Sequence, residues 1–297
     1  MNVLLTGANS YIGIHLIPVL LDQGHHVTCL VRDKAHFLKY NSNAGTVDIV
    51  EGDLLRGLKP GTLPRDIDAA FYLVSTFSQT SGFAGLEALS AQHFVDSVKI
   101  TRCKQILTIS DIYQEGSELD LSRRHVEQIL GDTSVPVTYF KTAMIVGPGS
   151  IAAEMFKALT DNDPIVISQN WTQTKSQPIA LADVLGYLEG SMLNEQTYGK
   201  LFELGGPEVL VFKQMLLTYI AIFKDQKPRL MAVPYVSSQL SSYLLNLLTP
   251  ISFTMAKSLV ESLKFDTVVK DDAISSIISR KRTSFKQALQ QLNPVMQ

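Results

Sequence analysis

Thr6-Gly7-x-x-Ser10-x-x-Gly13 is a spacing that can hold a pyrophosphate. Gly7 permits a tight turn, and Gly13 permits close approach of a helix to a strand. The helix that follows presents backbone N–H groups and the positive end of its dipole to the turn. Thr6, Gly7, Asn9, Ser10, Tyr11, Ile12 and Gly13 are therefore the first candidate cofactor-binding residues. Ser10 stands at the middle small position. Its hydroxyl can donate to a phosphate, while its Cβ narrows the approach. Some twenty residues on, a carboxylate would bind the hydroxyls of a ribose, whereas Arg32 suits a 2′-phosphate. Asp33 follows directly and leaves a ribose-binding carboxylate open. The cofactor expected on this reading is NADP(H) in preference to NAD(H).

These residues need a strand, a turn, a helix and a second strand to position them. Val3 to Leu5 read as a buried strand, Tyr11 to Leu21 as a helix with Gly24 at its C-terminal cap, and Val27 to Val31 as the next strand. The rhythm continues. Val47 to Val50, Ala69 to Val74, Gln105 to Ile109 and Val135 to Phe140 read as strands. Gly85 to Val98 and Leu121 to Leu130 read as helices. Strands alternating with helices predict a parallel sheet covered on both faces, an α/β fold of the Rossmann-type doubly wound kind. Ligands lie at the C-terminal strand ends in such sheets. Those ends add Asp53 and Leu54 for adenine or ribose, Val74 and Ser75, and Ser110.

Beyond residue 150 the rhythm loosens. Helices are predicted over Ile151 to Leu159, Leu181 to Leu193 and Val211 to Phe223, with strands at Pro164 to Ile167 and Lys200 to Leu204. A smaller mixed α/β C-terminal lobe results, dividing the chain into residues 1–160 and a partly interleaved 161–297. Tyr235 to Leu248 and Ile251 to Leu263 read as apolar helices around Pro250. Serines, Asn246, Pro250 and Lys257 interrupt them, so no transmembrane span is expected.

Composition restricts the partners. The 297 residues are 45% hydrophobic and 18% charged, as in globular proteins with a large core. A net charge of −2 gives no basic field for nucleic acid. Cys29 and Cys103 lie in or beside apolar runs and read as reduced core residues, and no histidine or cysteine spacing predicts a metal site. The first strand begins at once, without a signal-like segment, so a cytoplasmic location is expected.

Five stretches carry a family resemblance: Leu5-Thr-Gly-Ala-Asn-Ser-Tyr-Ile-Gly13, Glu51-Gly-Asp-Leu54, Pro136 to Gly149, Gln177-Pro-Ile-Ala-Leu-Ala-Asp-Val184 and Phe202-Glu-Leu-Gly-Gly-Pro207. The chain resembles an atypical, extended short-chain dehydrogenase/reductase of the NmrA-like group, often labelled nucleoside-diphosphate-sugar epimerases. The resemblance implies that Thr142, Ala143 and Met144 lie near the nicotinamide. It places Trp171 to Gln177 beside a substrate cleft. It also makes a homodimer through sheet-flanking helices an expectation.

Active relatives use a Ser with a Tyr-x-x-x-Lys pair one helical turn apart. The Tyr exchanges a proton with the substrate, and the Lys lowers its pKa and holds the ribose. None of the ten tyrosines here has a Lys four residues on. Leu119 takes the Tyr place and Arg123 the Lys place. Ser110 occupies the position of the family's Ser. Tyr113 is the candidate surrogate acid, with Asp111 and His125 behind it, and Arg123 keeps the cationic ribose role.

Three functions compete. The first is a cofactor-binding redox sensor or regulator acting on a small molecule or protein. The second is an NADPH-dependent quinone or carbonyl reductase with surrogate groups. The third, a sugar-nucleotide epimerase or dehydratase, leans most on the absent Tyr.

Overall fold

The computed structural model describes residues 1–74, 82–161, 165–168, 173–224, 230–233 and 263–292. The chain alternates strand and helix from its start. β1 (Asn2–Thr6), α1 (Tyr11–Asp22), β2 (His26–Val31) and α2 (Lys34–Tyr40) are followed by β3 (Asp48–Glu51), β4 (Ala69–Tyr72) and α3 (Phe83–Val98). Then come β5 (Gln105–Asp111), α4 (Glu118–Gly131), β6 (Val137–Thr142), β7 (Ile145–Val146), α5 (Ile151–Thr160) and β8 (Ile165–Ser168). The C-terminal part adds β9 (Lys175–Ser176), β10 (Ile179–Ala180), α6 (Leu181–Gly190), β11 (Leu201–Leu204), β12 (Leu210–Val211) and α7 (Phe212–Phe223). β13 (Leu230–Val233), α8 (Ala273–Ile277) and α9 (Phe285–Gln290) complete the described elements.

Seven strands form one sheet in the order β11-β6-β5-β4-β1-β2-β3, with every pairing parallel. The order reverses at β1, which lies between β2 and β4. This is the doubly wound Rossmann-type α/β fold that the sequence predicts, and its crevice opens at the reversal.

Period-two alternation covers both faces of β1. Val3 and Leu5 join α1 and α6 through Leu16, Leu20, Val184 and Leu188. Leu4 faces the other way, with Tyr72, Ile106, Phe94 and Val126 from β4, β5, α3 and α4. A separate apolar cluster holds the C-terminal elements. Phe156 stacks between Phe212 and Tyr219 and meets Phe285 edge-on. β11 nevertheless lies in the main sheet beside β6, so the later chain is threaded back into the first layer.

Local chemistry sets the ends of the helices. Ser10 caps α1 by accepting from the Gly13 N–H at 3.0 Å. Gly24, at φ +74°, closes it: its N–H reaches the Leu21 carbonyl and the His25 N–H reaches that of Leu20. Asp33 caps α2 by accepting from His36 N–H at 2.8 Å. Ser117 caps α4, which begins at Glu118, three residues earlier than the sequence predicts.

Two stretches of the family resemblance meet in space. Gln177 Nε2 donates to the Gly206 carbonyl at 2.8 Å, and a Cβ on Gly206 would lie 2.0 Å from the Pro178 carbonyl oxygen. Asp183, which is buried, accepts from Thr283 N–H at 2.6 Å and so anchors the segment before α9 to α6. Trp171 and the apolar stretches from 235 to 262 lie outside the described residues. No helix among the described residues is long and apolar enough to cross a membrane.

Candidate functional site

The turn after β1 is built by close contacts. Gly7 has φ +70°, and a Cβ there would lie 2.4 Å from the Leu73 carbonyl oxygen beyond β4. A Cβ on Gly13 would lie 2.4 Å from the Gly7 carbonyl oxygen and 3.0 Å from the Ala8 Cα. Only glycine fits at either position. The turn is closed by Ser10 N–H donating to Gly7 O at 2.8 Å. Tyr11 and Ile12 lead the helix, where amides have no intrahelical partner. The result is a concave cradle of backbone amides at a helix N-terminus, which fits a pyrophosphate.

Some residues near this cradle serve the scaffold. The Thr6 hydroxyl is buried and donates to the Phe71 carbonyl at 2.9 Å, tying β1 to β4 at the reversal. Ser10 Oγ uses its acceptor side on α1 and keeps its hydrogen for a ligand. Asn9 is exposed. Tyr11 is half-buried, and its hydroxyl would lie 2.8 Å from a Cβ at Gly147.

The ends of β2 and β3 carry the residues expected on the adenosine side. Arg32 is exposed and Asp33 is committed to capping α2. Asp53 accepts from Leu55 N–H at 3.0 Å in a tight turn. Leu54 is 6% exposed and packs in the cluster under α3. Val74 is half-buried after β4, and Ser75 lies outside the described residues.

The far side is formed by the ends of β5 and β6. Ser110 pairs in register with Lys141, and Asp111 with Thr142. The Ile112 N–H donates to the Thr142 carbonyl at 2.8 Å, which holds the two strand ends together. The Thr142 hydroxyl is buried and finds no hydrogen-bond partner among the described residues. Ala143 is buried and Met144 half-buried directly after it. An orphaned hydroxyl here fits a missing polar ligand group.

The loop from β5 to α4 brings Tyr113 back over the strand end. Its O–H donates to Asp111 Oδ2 at 3.4 Å, and its oxygen accepts from the Arg123 guanidinium. Arg123, 8% exposed, also lies 3.0 Å from Glu87 of α3. The second Glu87 oxygen accepts from Ser122 Oγ at 2.7 Å. Glu87 is itself 3% exposed.

This cluster has a defined electrostatic character. Burial raises the Tyr113 phenol above its usual range and the Asp111 carboxylate raises it further, against the opposing pull of Arg123. Asp111 reaches solvent, yet the surrounding protein raises its carboxyl by desolvation, opposed by Arg123 and by the Tyr113 bond. A narrow cavity with room for about one water runs beside Ser110 and Arg123 toward Glu127. His125 is exposed on α4, away from the cluster.

Sequence reasoning thus named Ser110, Tyr113, Asp111 and Arg123, and the fold brings three of these into direct contact. It missed Glu87, an acidic residue on a buried helix face. Its spacing, i+4 from Phe83 and i−4 from Ala91, puts it on the apolar face of the helix and is the local signal of it. Among the described residues no cluster of His, Cys, Asp and Glu could hold a metal.

Comparison with known proteins places this geometry. Residues 7–134 match the model of a family described as NAD(P)H-binding. No curated protein matches the chain. Solved structures share its fold. A Citrobacter sp. triphenylmethane reductase complexed with NADP(H) is 16% identical with TM-score 0.74, covering 98% of this chain and 100% of its own. A nucleoside-diphosphate-sugar epimerase from Staphylococcus aureus is 15% identical with TM-score 0.73, covering 98% and 100%. A UDP-glucuronic acid 4-epimerase from Bacillus cereus, in complex with UDP-glucuronic acid and NAD, is 17% identical with TM-score 0.61, covering 89% and 99%. These structures share the doubly wound fold of this chain, and residues 7–134 are similar to the NAD(P)H-binding family.

Proposed function

We propose that the chain is an NADP(H)-dependent oxidoreductase that reduces a small carbonyl or quinone acceptor, with Tyr113 in place of the family's helical Tyr. The observation that carries this is the contact of the Tyr113 phenol with Arg123. A phenol and a cation meet at the end of β5, although the sequence has no Tyr-x-x-x-Lys pair.

A bound reduced dinucleotide would supply the hydride. The chain's own residues do the rest. Tyr11 and Ile12 offer amides to the pyrophosphate, with the Ser10 hydroxyl beside them and Gly13 allowing the close approach. Arg32 takes the 2′-phosphate, a role favoured because Asp33 spends its carboxylate on α2. Thr142 offers its unpartnered hydroxyl to the nicotinamide end. Ser110 polarises the acceptor oxygen, and Tyr113 donates the proton.

A second reading is favoured by one observation. Leu119, half-buried on α4, holds the family's Tyr place, and Arg123 is engaged by Glu87. On that reading the chain binds the dinucleotide without turnover and acts as a redox-state regulator. The two separate by NADPH oxidation with menadione and with 9,10-phenanthrenequinone. The reductase reading expects turnover that Tyr113→Phe lowers about a hundredfold while NADPH binding is unchanged. No oxidation with either acceptor, alongside tight NADPH binding, overturns it in favour of the regulator.

A further inference from the structure

Glu87 is a charge buried where α3 packs on α4, and nothing in the cofactor cradle uses it. Both of its oxygens are engaged, one 3.0 Å from Arg123 and the other 2.7 Å from Ser122 Oγ. Its partner Arg123 is buried as well, and the same guanidinium donates to Tyr113. Four groups from three elements and a loop thus form one series, Glu87–Arg123–Tyr113–Asp111, with a buried end at α3 and a solvent end at β5. A guanidinium is planar and forked, so holding one edge fixes the direction of the others.

We propose that Glu87 is a positioning residue: it clamps Arg123 so that the guanidinium meets the Tyr113 phenol beside Ser110. This rests on the reductase reading for its purpose, while its geometry stands apart from turnover. In the reduction, the acceptor gains a hydride from the reduced dinucleotide and the Tyr113 proton on its oxygen. The O–H bond of Tyr113 breaks, and Arg123 holds the phenolate. Water at Asp111 returns a proton, so each cycle consumes one hydride and one solvent proton. Other ionisable groups face this cluster: Tyr72 from β4, and the Glu127–Lys141 pair, 3.2 Å apart, from α4 and β6. None of them is placed against Tyr113 as Arg123 is.

The test is a spectroscopic one. The full chain is labelled with ¹³C at the tyrosine Cζ, and the Tyr113 signal is assigned by its loss in Tyr113→Phe. The proposal expects Arg123→Met and Glu87→Ala to move that signal in the same direction. Glu87→Gln keeps an oxygen for the guanidinium and leaves the signal near its wild-type position. If Glu87→Ala does not fold, Glu87→Asp replaces it, because its shorter arm withdraws from Arg123 and must also move the signal. A Tyr113 signal that stays put in Glu87→Ala or Glu87→Asp overturns the proposal. Menadione reduction is measured alongside. There Glu87→Ala lowers kcat about tenfold or more with the KM for NADPH unchanged. A wild-type chain that reduces nothing, but whose Tyr113 signal responds as expected, overturns the reductase reading and leaves the clamp standing.

Discussion

A Cβ on Gly13 would lie 2.4 Å from the carbonyl oxygen of Gly7. Two glycines six residues apart therefore hold each other in the turn that faces the pyrophosphate. Gly13→Ala has to push α1 away from β1, and Gly13→Val pushes it further. We expect Gly13→Ala to cost about 1–3 kcal/mol of stability and to weaken NADPH at least about tenfold. Thermal melting and calorimetry read the two effects. A Gly13→Val chain that binds NADPH normally contradicts this account of the turn.

Arg32 and Asp33 are adjacent but do different work. Arg32 is exposed at the end of β2, while the Asp33 carboxylate caps α2. Arg32→Ala should weaken NADPH by about tenfold to a hundredfold and leave NADH nearly unchanged. Asp33→Ala should lower stability by about 1 kcal/mol without altering the NADPH to NADH ratio. Equal weakening of both dinucleotides by Arg32→Ala would remove the 2′-phosphate role.

The sequence carried the scaffold well and the chemistry partly, for a physical reason. Val3 to Leu5 is a continuous apolar run and Val27 to Val31 one broken only by Thr28, the mark of strands buried on both faces. Glycine and the Ser10 cap signal the intervening turn locally. The seven-residue α2 was not foreseen, because its cap, Asp33, also reads as a ribose carboxylate. Glu87 and Arg123 are 36 positions apart, and only the packing of α3 on α4 joins them. Tyr113 reaches Arg123 through the path of a loop, which no periodicity records.

Thr142 presents a buried hydroxyl without a hydrogen-bond partner among the described residues at the end of β6. A hydroxyl kept there is stabilising only when a ligand group meets it. Thr142→Val should leave the stability of the free chain unchanged or slightly higher and should weaken the dinucleotide several-fold. Melting temperatures with and without NADPH check it. A loss of stability in the free chain, with no effect on binding, would make Thr142 a scaffold residue.

Both thiols are buried. Burial pushes Cys103 up to about 11 and Cys29 up to about 12, from an ordinary 9.0. A raised folded-state pKa gives stability that is complete below the unfolded value and lost as pH rises through the folded one. Stability should therefore decline between pH 9.0 and about 12 as these thiols are forced to ionise. At about pH 8 the native chain should resist iodoacetamide, which needs the thiolate, while the unfolded chain reacts at both cysteines. Rapid alkylation of the native chain would contradict the burial of these thiols.

Dinucleotide binding is the claim on which the rest depends. Calorimetric titration of the full chain with NADPH and then NADH tests it most directly. One site per chain is expected, with a dissociation constant well below about 1 mM and NADPH tighter than NADH. Absence of binding by both dinucleotides up to about 1 mM would contradict it.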